Sequence, residues 1–280
     1  ADPEIIEAHS RLGNIQTKAG RHLEAIAAYQ RALALDPEHL LSTYNLALAY
    51  RAAGRIDEAI VGFERTQALD PRSGRAHFQL GDIYMQRGQP AKALEVLTMG
   101  LTLEVDRAPF LVKVGEAHLE LKQFEAAEKV LKEAVALRPD VPRGQYNLAL
   151  VAEQRGDAGT ARTAYEAEAA ANPKNYGAQF NLGKLLLKDG RLPEATARLR
   201  AAVEARPEFA EGYLYLAKAL LDGGQLSGAE KAARDGLARK PDPSIAPLGH
   251  YVLADIYSRQ GRENEAAREV ARARALERGR

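Results

Sequence analysis

A short pattern returns along this chain at a fixed step of 34 residues, and that step limits the fold more than any other feature. Leu12-Gly13 recurs as Leu46-Ala47, Leu80-Gly81, Val114-Gly115, Leu148-Ala149, Leu182-Gly183 and Leu216-Ala217, then as Leu253-Ala254 after 37 residues. An alanine keeps the same register at Ala25, Ala59, Ala93, Ala127, Ala161, Ala195, Ala229 and Ala266. A period in the range of roughly 20–50 residues marks an array of stacked units rather than one enlarged core.

One unit shows what is being stacked. Leu12 to Pro37 reads LGNIQTKAGRHLEAIAAYQRALALDP: an apolar-periodic run, a glycine, a second such run and a proline. This predicts two short helices joined by a tight turn. Gly20 and Gly54 stand where the chain leaves the first helix with positive φ, which costs glycine little. Asp36-Pro37 and Asp70-Pro71 end the second helices, because a residue before proline avoids the α region. The closing proline returns at Pro139, Pro173, Pro207 and Pro241, with Val105 in its place once. Lys122 occupies one glycine position, and Pro109 suits a first helical turn. Helices of about 14 residues are marginal in water, so no unit is expected to fold alone.

These residues resemble the tetratricopeptide-repeat (TPR) family over roughly Ile6 to Arg278. Small residues such as Gly13, Ala25 and Ala32 face larger ones such as Leu12 and Tyr29, as the family pattern requires. The family's first-helix tryptophan is absent, and His9, Thr43, His77, Leu111, Gln145, Gln179, Tyr213 and His250 replace it. The resemblance implies an all-α fold: a right-handed superhelical α-solenoid of antiparallel helix pairs, about sixteen helices in eight TPR units. The units are expected at 6–39, 40–73, 74–107, 108–141, 142–175, 176–209, 210–243 and 247–280, in a single domain over 1–280.

Two stretches are irregular. The second helix of repeat five, AGTARTAYEAEAAANP, carries Gly159 and a run of small residues, which predicts the softest link of the array. The three extra residues before the last repeat fall within Asp242 to Pro247, where Ser244 is expected to cap the next helix and Pro247 to sit in its first turn.

Composition narrows the chemistry. Net charge is +1 with acids and bases interspersed, so no global field favours nucleic acid or a membrane surface. With no cysteine there is no disulfide, thiolate metal site or cysteine nucleophile. No phosphate-cradling glycine loop, metalloprotease motif or nucleophile elbow appears, and the histidines are scattered, so neither catalysis, a cofactor nor a metal is implied. The glutamates of the second helices read as solvated faces. No apolar run approaches the ~20 residues that span a bilayer; the compartment is open, with a soluble cytoplasmic protein as the default. Ala1 lies almost on the first helix and Arg280 just after the last, so the chain reads as one region of a longer protein.

Function should lie on one stripe of the first helices. In TPR arrays this stripe resembles the concave groove that takes extended or helical peptides. One residue before the Leu-Gly positions stand Arg11, Asn45, Gln79, Lys113, Asn147, Asn181, Tyr215 and Val252, and two before stand Ser10, Tyr44, Phe78, Val112, Tyr146, Phe180, Leu214 and Tyr251, a broken ladder of amides with aromatics alongside. An amide side chain donates and accepts at once, so it can clamp a peptide backbone, and a neighbouring ring adds apolar contact at small entropic cost. Two clusters are candidates: Tyr44, Asn45, Arg75, Phe78 and Gln79, and Arg143, Tyr146, Asn147, Phe180, Asn181 and Lys184. The alternative for both is plain helix packing. At the positions of the family's clamp for chaperone C-terminal carboxylates stand Ser10, Asn14, Asn45, Arg75 and Gln79, which lack two of its three cations, so a true clamp is not expected. The expected function is a non-catalytic scaffold for a protein or peptide partner. A regulatory or substrate-recruiting region of a larger enzyme, and a module self-associating through its solenoid ends, are the other readings.

Overall fold

The structure, a computed structural model, describes residues 2–103 and 106–278. They form sixteen α-helices and no strand among the described residues. Chain contacts divide them into two compact units, Ala1–Val141 and Pro142–Arg280. Val105 lies outside the described residues.

The first unit holds α1 (Pro3–Lys18), α2 (His22–Leu35), α3 (Leu40–Ala52), α4 (Ile56–Leu69), α5 (Gly74–Gln86), α6 (Pro90–Leu101), α7 (Ala108–Glu120) and α8 (Phe124–Leu137). Each helix packs on its sequence neighbours, and α1 also meets α3 as α5 meets α7. The Leu-Gly register sets the close approach within each pair. A Cβ on Gly13 would lie 2.4 Å from the Tyr29 ring, and one on Gly81 2.4 Å from Leu97 Cγ. The turn predictions hold: Gly20, Gly54 and Gly88 have φ of 72°, 76° and 65°, and Lys122 takes the same conformation at 57°. Asp36 and Asp70 are extended, with φ of −138° and −136°.

The second unit holds α9 (Gly144–Gln154), α10 (Ala158–Ala171), α11 (Tyr176–Lys188), α12 (Leu192–Ala205), α13 (Ala210–Asp222), α14 (Leu226–Ala238), α15 (Ala246–Arg259) and α16 (Glu263–Arg278). Again neighbours pack in pairs. Pro247 does sit in the first turn of α15, but Ser244 does not cap it: Ile245 holds the cap position without a side-chain bond. Asp242 takes that work, its carboxylate accepting from Ser244 N–H at 2.7 Å and its carbonyl from Ile245 and Ala246. The glutamates of the second helices are not all solvated either. Glu168 and Glu269 are 1% and 7% exposed, because polar partners meet both inside.

The packing of α10 is mixed. Tyr165 is fully buried, while Gly159 is exposed and a Cβ there would meet only the Asp157 carboxylate, at 3.6 Å. Nothing in the packing requires glycine at that place. Gly159→Ala should therefore stabilise by about 0.4–1 kcal/mol, chiefly by restricting the unfolded chain. Amides of α10 should exchange before those of α2 in the parent, and Gly159→Ala should narrow the difference. Equal protection of the two helices in the parent would remove the case for a soft α10.

Candidate functional site

In the first unit, α3 and α5 bring Tyr44, Gln79 and Arg75 together. Burial raises the Tyr44 phenol above its ordinary value, against a hydrogen bond with Gln79 and the charge of Arg75. The Tyr44 ring meets Phe63 edge-on at 5.7 Å, and Phe78 meets Phe110 at 5.0 Å, so both rings brace neighbouring helices as well as line the face. Asn45 Nδ2 donates to Asn14 Oδ1 at 3.0 Å, and the same oxygen accepts from the Tyr29 hydroxyl at 2.7 Å. Arg75 is exposed.

The charges beside these residues are closed on themselves. Arg51 donates to both Gln79 and Asp82. Lys113 Nζ lies 2.8 Å from Asp82 and 3.1 Å from Glu116. Burial pushes the Asp82 carboxyl up, yet Lys113 and Arg51 together hold it below its ordinary value. Its contribution to stability is thus present above the unfolded-state pKa and fades as pH falls through the lower folded-state one.

The second unit is built differently. Arg143 precedes α9 in the left-handed conformation, φ 68°, and its guanidinium lies 5.2 Å over the Tyr146 ring. That ring lies against Gly177, where a Cβ would stand 3.1 Å from the Tyr146 hydroxyl oxygen. Burial raises the Tyr146 phenol, opposed first by Arg143 and also by a hydrogen bond with Asn181. Asn181 Nδ2 in turn donates to the Tyr165 hydroxyl at 3.0 Å, which donates to Glu153 at 2.5 Å. Arg143, Tyr146 and Asn181 are therefore neighbours.

Two residues of this cluster sit deeper than the sequence suggests. Asn147 is 1% exposed and Phe180 6%, so neither presents surface to a ligand. The expectation that Asn147 clamps a peptide backbone fails on that burial. Phe180 is enclosed by Phe209 and Tyr215, with ring centroids 4.8 and 5.3 Å away, both edge-on. Over these rings lies Lys184, its Nζ 4.9 Å from the Phe180 centroid and 5.6 Å from that of Tyr215. Lys184 is half-buried, and no carboxylate among the described residues pairs with it. Tyr215 and Glu168 stand beside this cluster but were not among its expected members. Register put Tyr215 at the same stripe position as Asn181, though not in the cluster; Glu168 had no such signal.

Among the described residues no group of His, Asp or Glu could hold a metal ion, and no helix is long and apolar enough to cross a membrane.

Known proteins place this geometry. Of solved structures, the APC/C hetero-tetramer Cut9-Hcn1 is similar at TM-score 0.71 and 19% identity, over 85% of this chain and 47% of that one. A tetratricopeptide repeat protein from Parabacteroides merdae ATCC 43184 is similar at TM-score 0.68 and 15% identity, over 88% and 99%. PilW, a type IV pilus biogenesis factor, is similar at 0.65 and 20%, over 79% and 100%. These likenesses show the fold alone. No curated protein matches the sequence. The tetratricopeptide-repeat family model matches residues 6–39, and the model of the cilia and flagella-associated protein 70 C-terminal domain matches residues 40–243. Helices paired in one register and family matches over most of the length give one conclusion: this chain belongs to the tetratricopeptide-repeat family, its residues 40–243 to the family of that C-terminal domain.

Proposed function

We propose that the chain is a non-catalytic protein-interaction scaffold, and that the first-helix face of its second unit binds an acidic peptide segment. The observation that carries this reading is Lys184. An ammonium seated over two rings, without a carboxylate partner among the described residues, lacks the compensation that Lys113 finds in the first unit. A ligand carboxylate would supply it, and the half-buried Tyr146 and Tyr215 would cover the apolar side chains beside that acid. Arg143 adds a second cation at the edge of the same face.

Fluorescence anisotropy with a fluorescein-labelled peptide of alternating glutamate and leucine tests this, with a glutamine–leucine peptide as control. The parent should bind the acidic peptide and not the neutral one. Lys184→Glu should weaken binding by at least about tenfold, the order expected when a desolvated charge pair becomes a repulsion. Glu204→Ala, an exposed change on α12, should leave affinity within about twofold. Equal binding of both peptides, or indifference to Lys184→Glu, would show that the partner uses another surface.

A further inference from the structure

At one place the second helix of a repeat carries a small buried residue. Ala32, Ala134, Ala202 and Ala273 stand there in four repeats, and glycine or threonine in three others. The reason is steric: the first helix of the same repeat starts close by. In α14 the residue is Gly236, and a Cβ on it would lie 2.6 Å from Leu214 and 3.2 Å from the carbonyl of Ala210, where α13 begins. In repeat five the residue is Glu168, 1% exposed.

A glutamate fits because α9 is short. The register set by α7 and α11 would start it at Pro142, yet it starts at Gly144. Into the space left by those two residues comes the Glu168 carboxylate. Oε1 accepts from the Arg143 N–H at 3.2 Å, from Asn172 Nδ2 at 3.1 Å and from Asn175 Nδ2 at 2.9 Å. Oε2 accepts from the Tyr146 N–H at 3.2 Å. This carboxylate therefore does for α9 what a capping side chain does elsewhere, but from a different helix. It also bonds the backbone of Arg143, whose positive φ is uncommon for any residue but glycine and persists only where the surroundings impose it.

We infer that Glu168 is the positioning residue of the second unit's binding face: it fixes the backbone of Arg143 and Tyr146, and through them the guanidinium and ring offered to an acidic ligand. The inference rests on the reading of that face as a peptide site. It also adds a restriction. The amino terminus of α9 is already filled by the protein's own carboxylate, so a ligand's acid group is taken by side chains, Arg143 and Lys184, and not by backbone N–H groups.

The test uses the full chain, the glutamate–leucine peptide and three variants: Glu168→Gln, Arg143→Ala and the two combined. Glutamine keeps the shape but replaces one acceptor oxygen with an amide NH2 that faces N–H donors. Each single variant should bind about tenfold more weakly, the scale of a lost charged hydrogen-bond partner. The double variant should lose less than the product of the two, because part of what Glu168 positions is the Arg143 guanidinium itself. Losses that multiply, or a Glu168→Gln variant that binds like the parent, overturn the assignment. Hydrogen exchange gives a readout that needs no ligand. The amides of Arg143 and Tyr146 should lose protection in Glu168→Gln while those of α13 keep theirs; unchanged protection at Arg143 and Tyr146 overturns the proposal as well. If Glu168→Gln does not fold, Glu168→Ala restores the residue of four other repeats and is read the same way. If the parent does not bind the peptide, the acidic-ligand reading falls, while the exchange comparison still decides whether Glu168 orders this edge.

Discussion

Leu199→Ala should cost the second unit about 2–5 kcal/mol, the range for truncating a leucine in a core that cannot close around the loss. Leu199 is fully buried, and it packs directly on the bare backbone of Gly183, where an added Cβ would lie 2.7 Å from Leu199 Cγ. A glycine has no side chain to swing into the vacancy, so the upper half of the range is expected. Urea unfolding followed by circular dichroism measures the loss, with hydrogen exchange to locate it. Because repeat arrays are coupled through nearest neighbours, protection should fall first in α11, α12 and α13 and stay near the parent's in α1 to α4. A loss below about 1 kcal/mol, or an even loss of protection along the chain, would show that this joint is not where the second unit's stability is concentrated.

The opposite perturbation should also destabilise the equivalent joint of the first unit, by somewhat less. A Cβ on Gly115 would lie 2.5 Å from Leu131 Cγ and 2.6 Å from its Cδ2, and Leu131 is fully buried. Gly115→Val therefore requires α7 and α8 to separate or Leu131 to leave its rotamer. Overpacking of this kind costs about 1–3 kcal/mol and sometimes more. Gly20→Ala is the comparison: nothing stands within 4 Å of its Cβ, and its φ of 72° leaves only the left-handed backbone term, about 1–2 kcal/mol. The decisive measurement is a cycle with Leu131→Ala. If the two side chains compete for one space, Gly115→Ala with Leu131→Ala should be less destabilised than the sum of the single changes. Strict additivity would mean that the glycine serves some purpose other than the close approach.

How far the sequence carried this description differs between its levels. The 34-residue step placed the helix pairs, the glycine turns and even Lys122 in a glycine's conformation, because those features follow from local chain chemistry repeated in register. The same step placed Tyr44 and Asn45 on the first helices of the first unit, and Tyr146 and Asn181 on those of the second. Depth was not legible. Asn147 and Asn181 share a stripe position, yet the first is sealed and the second half-buried, since depth depends on the neighbouring helix and not on periodicity. Register also put the start of α9 at position 142. It starts later, and a carboxylate from α10 meets its first amides, a tertiary contact with no local sign beyond a glutamate where other repeats are small.

The closed lattice of Arg51, Asp82, Lys113 and Glu116 has a consequence for how the two faces sense their medium. Charges that already neutralise one another leave little for dissolved ions to screen, whereas an uncompensated ammonium attracts across a distance that shrinks as salt is added, from about 10 Å at 0.1 M to about 3 Å at 1 M. On the α3 and α5 face these closed pairs leave the exposed Arg75 as the charge that salt can screen. If the second unit's face takes an acidic segment as proposed, that binding should weaken as salt rises, because the Lys184 ammonium has no carboxylate beside it among the described residues to share the screening.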